Sequence, residues 1–167
     1  MSPLILMFTL LGIAVVSDIR HHRIPNLLIL TGLALGLAGQ LFTNGSAGLV
    51  DGLLGGLVGF GLFLLLYIVG GMAAGDVKLM AMAGVFLTPQ HALLAAAASL
   101  IAGGLFGLAL MIWHGQVRLT LGRYGLILRT HSYVAPVAGE VAGQPFPYAI
   151  AIFTGTLVST LWFHYNF

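Results

Sequence analysis

From Leu49 to Val69 the chain reads LVDGLLGGLVGFGLFLLLYIV, with a single charged residue, Asp51, near its start. A membrane-spanning helix needs about 20 mostly apolar residues, and this stretch supplies them. Four further runs read the same way, at about Pro3–Val16, Leu27–Phe42, Ala92–Trp113 and Phe146–Phe163. Val77–Leu87 is equally apolar but falls short of a full span, and Thr88-Pro89-Gln90-His91 separates it from the next run. It reads as a short fourth helix. Composition agrees: of 167 residues 59% are hydrophobic and 6% charged, with mean hydropathy +1.07, where soluble domains carry about 25% charged residues. The expectation is an all-α, polytopic integral membrane helix bundle of about six transmembrane helices. It forms a single domain over residues 1–167, with its longest connection at about 114–145.

Charge sets the expected orientation. The six Lys and Arg against four Asp and Glu are too few for a nucleic-acid footprint, so no nucleic-acid partner is expected. Arg20 and Arg23 fall in the first connection, Lys78 in the third, and Arg118, Arg123 and Arg129 in the fifth. By the positive-inside rule those three connections are cytoplasmic and both termini lie outside. The N-terminal run has no basic residue before it and no small-residue cleavage pattern, so it reads as a retained span. The absence of cysteine excludes disulfides and Cys-ligated metal sites. The six histidines are scattered; His21 and His22, with Arg20 and Arg23, read as a basic cluster for lipid headgroups. No metal and no cofactor are expected. Small residues four apart recur at Gly32/Gly36, Gly48/Gly52, Gly55/Gly59, Gly71/Gly75 and Gly103/Gly107, a spacing that lets helix backbones approach closely within the bundle. The mixed segment Gln116–Arg129 suits the headgroup plane, and Ser132–Gln144 follows it, rich in Gly, Ala and Val.

Acidic residues are the scarce resource: Asp18, Asp51, Asp76 and Glu140. Asp51 reads as a helix-start carboxylate, favoured by the unpaired N–H groups there. Glu140, in the long connection, reads as a solvated surface group. Asp18 closes the first span and Asp76 opens the fourth. Two crossings separate them, so both belong at the same membrane border, the cytoplasmic one. Two carboxyl groups brought within a few ångströms cannot both ionise readily; one keeps its proton, giving an acid and a base side by side. Such a pair can activate water for attack on a peptide carbonyl without metal, cysteine or serine.

The surrounding residues carry a resemblance. Ser17-Asp18-Ile19-Arg20-His21-His22-Arg23-Ile24-Pro25-Asn26 and Gly70-Gly71-Met72-Ala73-Ala74-Gly75-Asp76-Val77-Lys78-Leu79 resemble the paired aspartate motifs of the type IV prepilin peptidases, membrane aspartic proteases of the Gly-x-Gly-Asp class. Phe146-Pro147-Tyr148-Ala149-Ile150-Ala151 resembles the Pro-Tyr-x-x-Ala run of their last span. The resemblance implies that Asp18 and Asp76 are the catalytic pair. It implies a membrane-embedded endopeptidase of the bacterial inner membrane that removes the short basic leader from prepilin or pseudopilin precursors on the cytoplasmic side. Ala73 stands where the family motif usually has its first glycine. The cysteine-bearing region of the bifunctional members is missing, so the chain resembles the short form of tight-adherence (Flp-type) systems and methyl transfer is not expected.

Supporting roles fall to Gly75, Lys78, Pro25, Asn26, Pro147 and Tyr148. Gly75 loosens the entrance to the fourth helix. Lys78, two residues past Asp76, points to a different face and reaches phosphates or substrate. Pro25 is tolerated in a first helical turn, and Asn26 can satisfy orphan donors there. Pro147 and Tyr148 enter the last span at the same border, and their nearness to the aspartates rests on the resemblance. Membrane lipids are the other expected partner. The rival readings are a small proton-coupled transporter component and a catalytically inert pilus-assembly protein; transport calls for ionisable groups near the midplane, and no span as drawn carries one.

Overall fold

The computed structural model describes residues 3–130 and 146–166, and these are helical with short connections. In chain order the helices are α1 (Pro3–His21), α2 (Asn26–Ile68), α3 (Ala74–Gly84), α4 (Pro89–Trp113), α5 (Val117–Thr130) and α6 (Ala149–Asn166). Three of them, α1, α2 and α4, are long and apolar enough to cross a membrane, and α6 carries a shorter apolar stretch, Ala149–Phe163. With 59% of the chain hydrophobic, the molecule is a membrane protein.

The expected spans Leu27–Phe42 and Leu49–Val69 are the two arms of α2. Gly45 breaks that helix with φ 64° and ψ −149°, a backbone region that essentially only glycine enters. The chain folds back there, which brings Gly48 against the backbone of Gln40 and Gly52 against the side chains of Gln40 and Leu37.

α3 lies against both arms. Gly32 and Gly36 of the first arm meet Met82 and Val85, while Gly59 and Gly55 of the second meet Met80 and Gly84. The order of these contacts makes α3 parallel to the first arm and antiparallel to the second. α3 starts at Ala74 and ends at Gly84, where the sequence pattern places it over Val77–Leu87. The first-turn residue Asp76 draws its start earlier, and Val85–Leu87 form the turn toward α4. Its side chains Val77, Leu79, Met80, Met82 and Ala83 are buried, so its apolar character serves the core of the bundle.

α6 closes the bundle against α4 and α1. Gly155 lets the α6 backbone approach Ser99, whose hydroxyl donates to the Ala95 carbonyl at 2.7 Å and to Ile152 of α6 at 3.4 Å. α6 begins at Ala149, after the Phe146 at which the apolar run starts, because Pro147 and Tyr148 form the turn into it. The mixed segment at Gln116–Arg129 is helical as α5. Ser132–Gln144, with Glu140, lies outside the described residues.

Candidate active site

Asp18 sits in the last turn of α1, and its Oδ2 accepts the backbone N–H of Ala149, the first residue of α6, at 3.1 Å. Asp76 sits in the first turn of α3, and its Oδ2 accepts the N–H of Ala73 at 3.2 Å. Ala73 has the extended backbone of a helix cap (φ −84°, ψ 153°) but no side-chain acceptor, so the carboxylate of Asp76 makes the bond that closes the turn. Each carboxylate therefore lies at a helix N-terminus, where unpaired N–H groups and the helix dipole favour negative charge. Both are buried, at 7% and 5% exposure, and they lie close enough for their charges to interact.

The pair stands at the junction of two clefts. The larger, about 460 Å³, is walled by the turn Gly70–Ala73, by Leu110 and Met111 of α4, and by Phe146, Pro147 and Tyr148. Gly70 takes φ 77° to make that turn. Tyr148 stands edge-on to Phe63 and Phe146, with ring centroids 6.1 and 6.0 Å apart, and donates to the Ser99 carbonyl at 3.4 Å. Gly103 gives it room: a Cβ there would collide with the Tyr148 ring. The smaller cleft, about 290 Å³, is lined by Arg23, Ile24, Asn26, Gly75 and Lys78 beside the two acids.

Of the supporting residues, Pro147 and Tyr148 border the larger cleft and Gly75, Asn26 and Lys78 the smaller. Pro25 borders neither; it caps α2 with φ −62° and ψ 130°. Asn26 does not cap its own helix as expected. Its Oδ1 accepts from Lys78 Nζ at 3.1 Å, tying the start of α2 to the start of α3. Asp51 is half-buried on the second arm of α2, away from both clefts. Among the described residues no group of three His, Cys, Asp or Glu is placed to hold a metal.

Sequence reasoning missed His22, Leu110 and Met111. The α4 residues gave no signal, being apolar positions in an apolar helix. His22 carried one, its place four residues after Asp18, but it was indistinguishable from its neighbour His21. His22 alone of the two borders the clefts.

The type IV leader peptidase family is matched by residues 5–108, a span that takes in both aspartates and stops short of Pro147 and Tyr148. The curated proteins and the solved structures compared with the chain gave no match.

Proposed function

The chain belongs to the type IV leader peptidase family, and on that premise we propose that it is a membrane-embedded aspartic endopeptidase. Its substrates are prepilin-like precursors of the Flp type, and it cuts their basic leader at the cytoplasmic border of the bacterial inner membrane. The observation that carries this reading is the pairing of Asp18 and Asp76, two buried carboxylates from distant parts of the chain, on the walls of the same two clefts.

The chemistry follows from that pairing. A water between the carboxyl groups is deprotonated by the ionised one and attacks the scissile carbonyl, which the protonated one polarises. The proton taken from water then passes to the leaving amine. Burial keeps these charges in a low dielectric, where their interactions with the reacting atoms are stronger than in water. The apolar wall of the larger cleft suits the hydrophobic helix of the precursor, which enters laterally from the bilayer. Six crossings, the two arms of α2 counted separately and α3 as the short fourth, put both acids on the side that carries the basic connections.

The test is co-expression with an Flp-type precursor that has its leader and hydrophobic helix, read as a mobility shift on a gel. Wild type and Asp51→Asn shorten the precursor; Asp18→Asn and Asp76→Asn reach the membrane in normal amounts and leave it intact. Cleavage that survives the loss of either carboxylate refutes the paired-acid mechanism.

A further inference from the structure

His22 has φ 48°, and it is the single non-glycine residue among those described with a left-handed backbone. Its N–H bonds to the Asp18 carbonyl at 2.8 Å, which ends α1 and turns the chain beside the dyad. A non-glycine residue in that conformation is uncommon, and histidine, like asparagine, is among those that enter it most readily. Backbone outliers of this kind cluster at active sites and ligand clamps.

The position of the side chain agrees with this. Four residues border both clefts: Asp18, His22, Ala73 and Asp76. A peptide lying across the dyad passes from one cleft to the other between these four. Two of them are the proposed acids and Ala73 offers only backbone and a methyl group. His22 is exposed at this junction, and its ring makes no hydrogen bond to a described residue. The charged and titratable groups around it are Asp18, Asp76, Lys78, Arg23, His114 and the Tyr148 phenol.

We propose that His22 is a substrate-binding residue, whose imidazole hydrogen-bonds the peptide backbone of the precursor where it crosses from the smaller to the larger cleft. This rests on the peptidase reading above. A neutral imidazole both donates and accepts, as a peptide unit requires. The partner it meets is backbone, present in every precursor, so the contact positions the chain without selecting its sequence.

Steady-state cleavage of an Flp-type precursor in mixed micelles tests this, with stability followed by unfolding of each purified variant. His22→Gly removes the ring and relieves the backbone. It is expected to be at least as stable as wild type, yet to raise KM about tenfold, the loss of one good hydrogen bond, with kcat within about twofold. His22→Asn fits the left-handed turn and keeps a donor and an acceptor, and it restores KM to within about threefold of wild type. His21→Ala leaves both constants unchanged. A His22→Gly enzyme with wild-type KM overturns the proposal, since His22 is then only the end of a helix, and a His22→Asn enzyme as weak as His22→Gly overturns the hydrogen-bonding role. A wild type that leaves the precursor intact refutes the peptidase reading, and this inference falls with it; a wild type that cleaves beside an indifferent His22→Gly refutes this inference alone.

Discussion

Gly84→Ala should separate the helix that carries Asp76 from its support. Gly84, at the end of α3, faces the second arm of α2: a Cβ there would collide with the Gly55 carbonyl oxygen and stand 2.8 Å from the Gly55 carbonyl carbon and 3.1 Å from Gly56 Cα. These are backbone atoms and cannot rotate aside. Ordinary contact begins at 3.4 Å, so α3 has to retreat by at least about 0.6 Å. Overpacking of this kind costs about 1–3 kcal/mol, offset by at most about 1 kcal/mol from the better helix propensity of alanine. The expected net loss is about 1–2 kcal/mol, read from SDS titration of the protein in mixed micelles. Asp76 rides on the same helix, and a 1 Å misplacement costs about a hundredfold in rate, so cleavage should fall at least about tenfold. Gly104→Ala is the control, because nothing lies within 4 Å of a Cβ at that position. A Gly84→Ala protein no less stable than Gly104→Ala would refute the packing argument.

Gly45→Ala, in a conformation closed to other residues, should destabilise the protein by about 1–3 kcal/mol, while Gly39→Ala six residues earlier is neutral or stabilising; equal effects in the same titration would contradict the hairpin. The bond between Lys78 and Asn26 joins exposed side chains, so a double-mutant cycle of Lys78→Ala and Asn26→Ala should give a coupling of about 1 kcal/mol or less; a value above about 2 kcal/mol would mean that the pair acts through something other than this bond. Gly103→Ala should displace the Tyr148 ring, and the double variant with Tyr148→Ala should be more stable than the summed single losses by about 1 kcal/mol or more, whereas additivity would show that the two do not touch.

The parts of the fold legible in the sequence are those that apolar runs and small residues encode. Leu27–Phe42 and Leu49–Val69 are helical arms, and Gly32, Gly36, Gly48, Gly52, Gly55 and Gly59 are buried against neighbouring backbone or side chains. Gly107 shares the spacing without the packing, since a Cβ there would meet nothing within 4 Å, and Gly71 lies in a turn. Spacing alone does not say which face of a helix is turned inward. The short helix was visible from Val77–Leu87, but its true start was not, because that start depends on a side-chain bond from Asp76 back to Ala73. The two acids could be singled out because they are scarce; their clefts could not, because Leu110 and Met111 reach them only through the tertiary packing of α4. His22 differs from His21 in the hand of its backbone and in bordering the clefts, which adjacent identical residues do not reveal.

Pro147 and Tyr148 lie beyond the stretch that carries the family match, so their place in the site needs a physical cause. The bond from the Ala149 N–H to Asp18 supplies it, because it fastens the first residue of α6 to the last turn of α1 across 131 residues of chain. The two residues before Ala149 are then held over the dyad as the rim of the larger cleft. The same bond gives Asp18 an N-terminal helix environment drawn from another helix, while Asp76 obtains one from its own. Substituting Asn at either position keeps an oxygen to accept the N–H, so it removes the charge and leaves the joint. Alanine would instead leave the Ala149 N–H buried without its acceptor, at a cost of about 1–3 kcal/mol, and would disturb the rim together with the acid. An inactive Asp18→Ala enzyme therefore cannot distinguish lost chemistry from lost architecture, whereas an inactive, stable Asp18→Asn enzyme can.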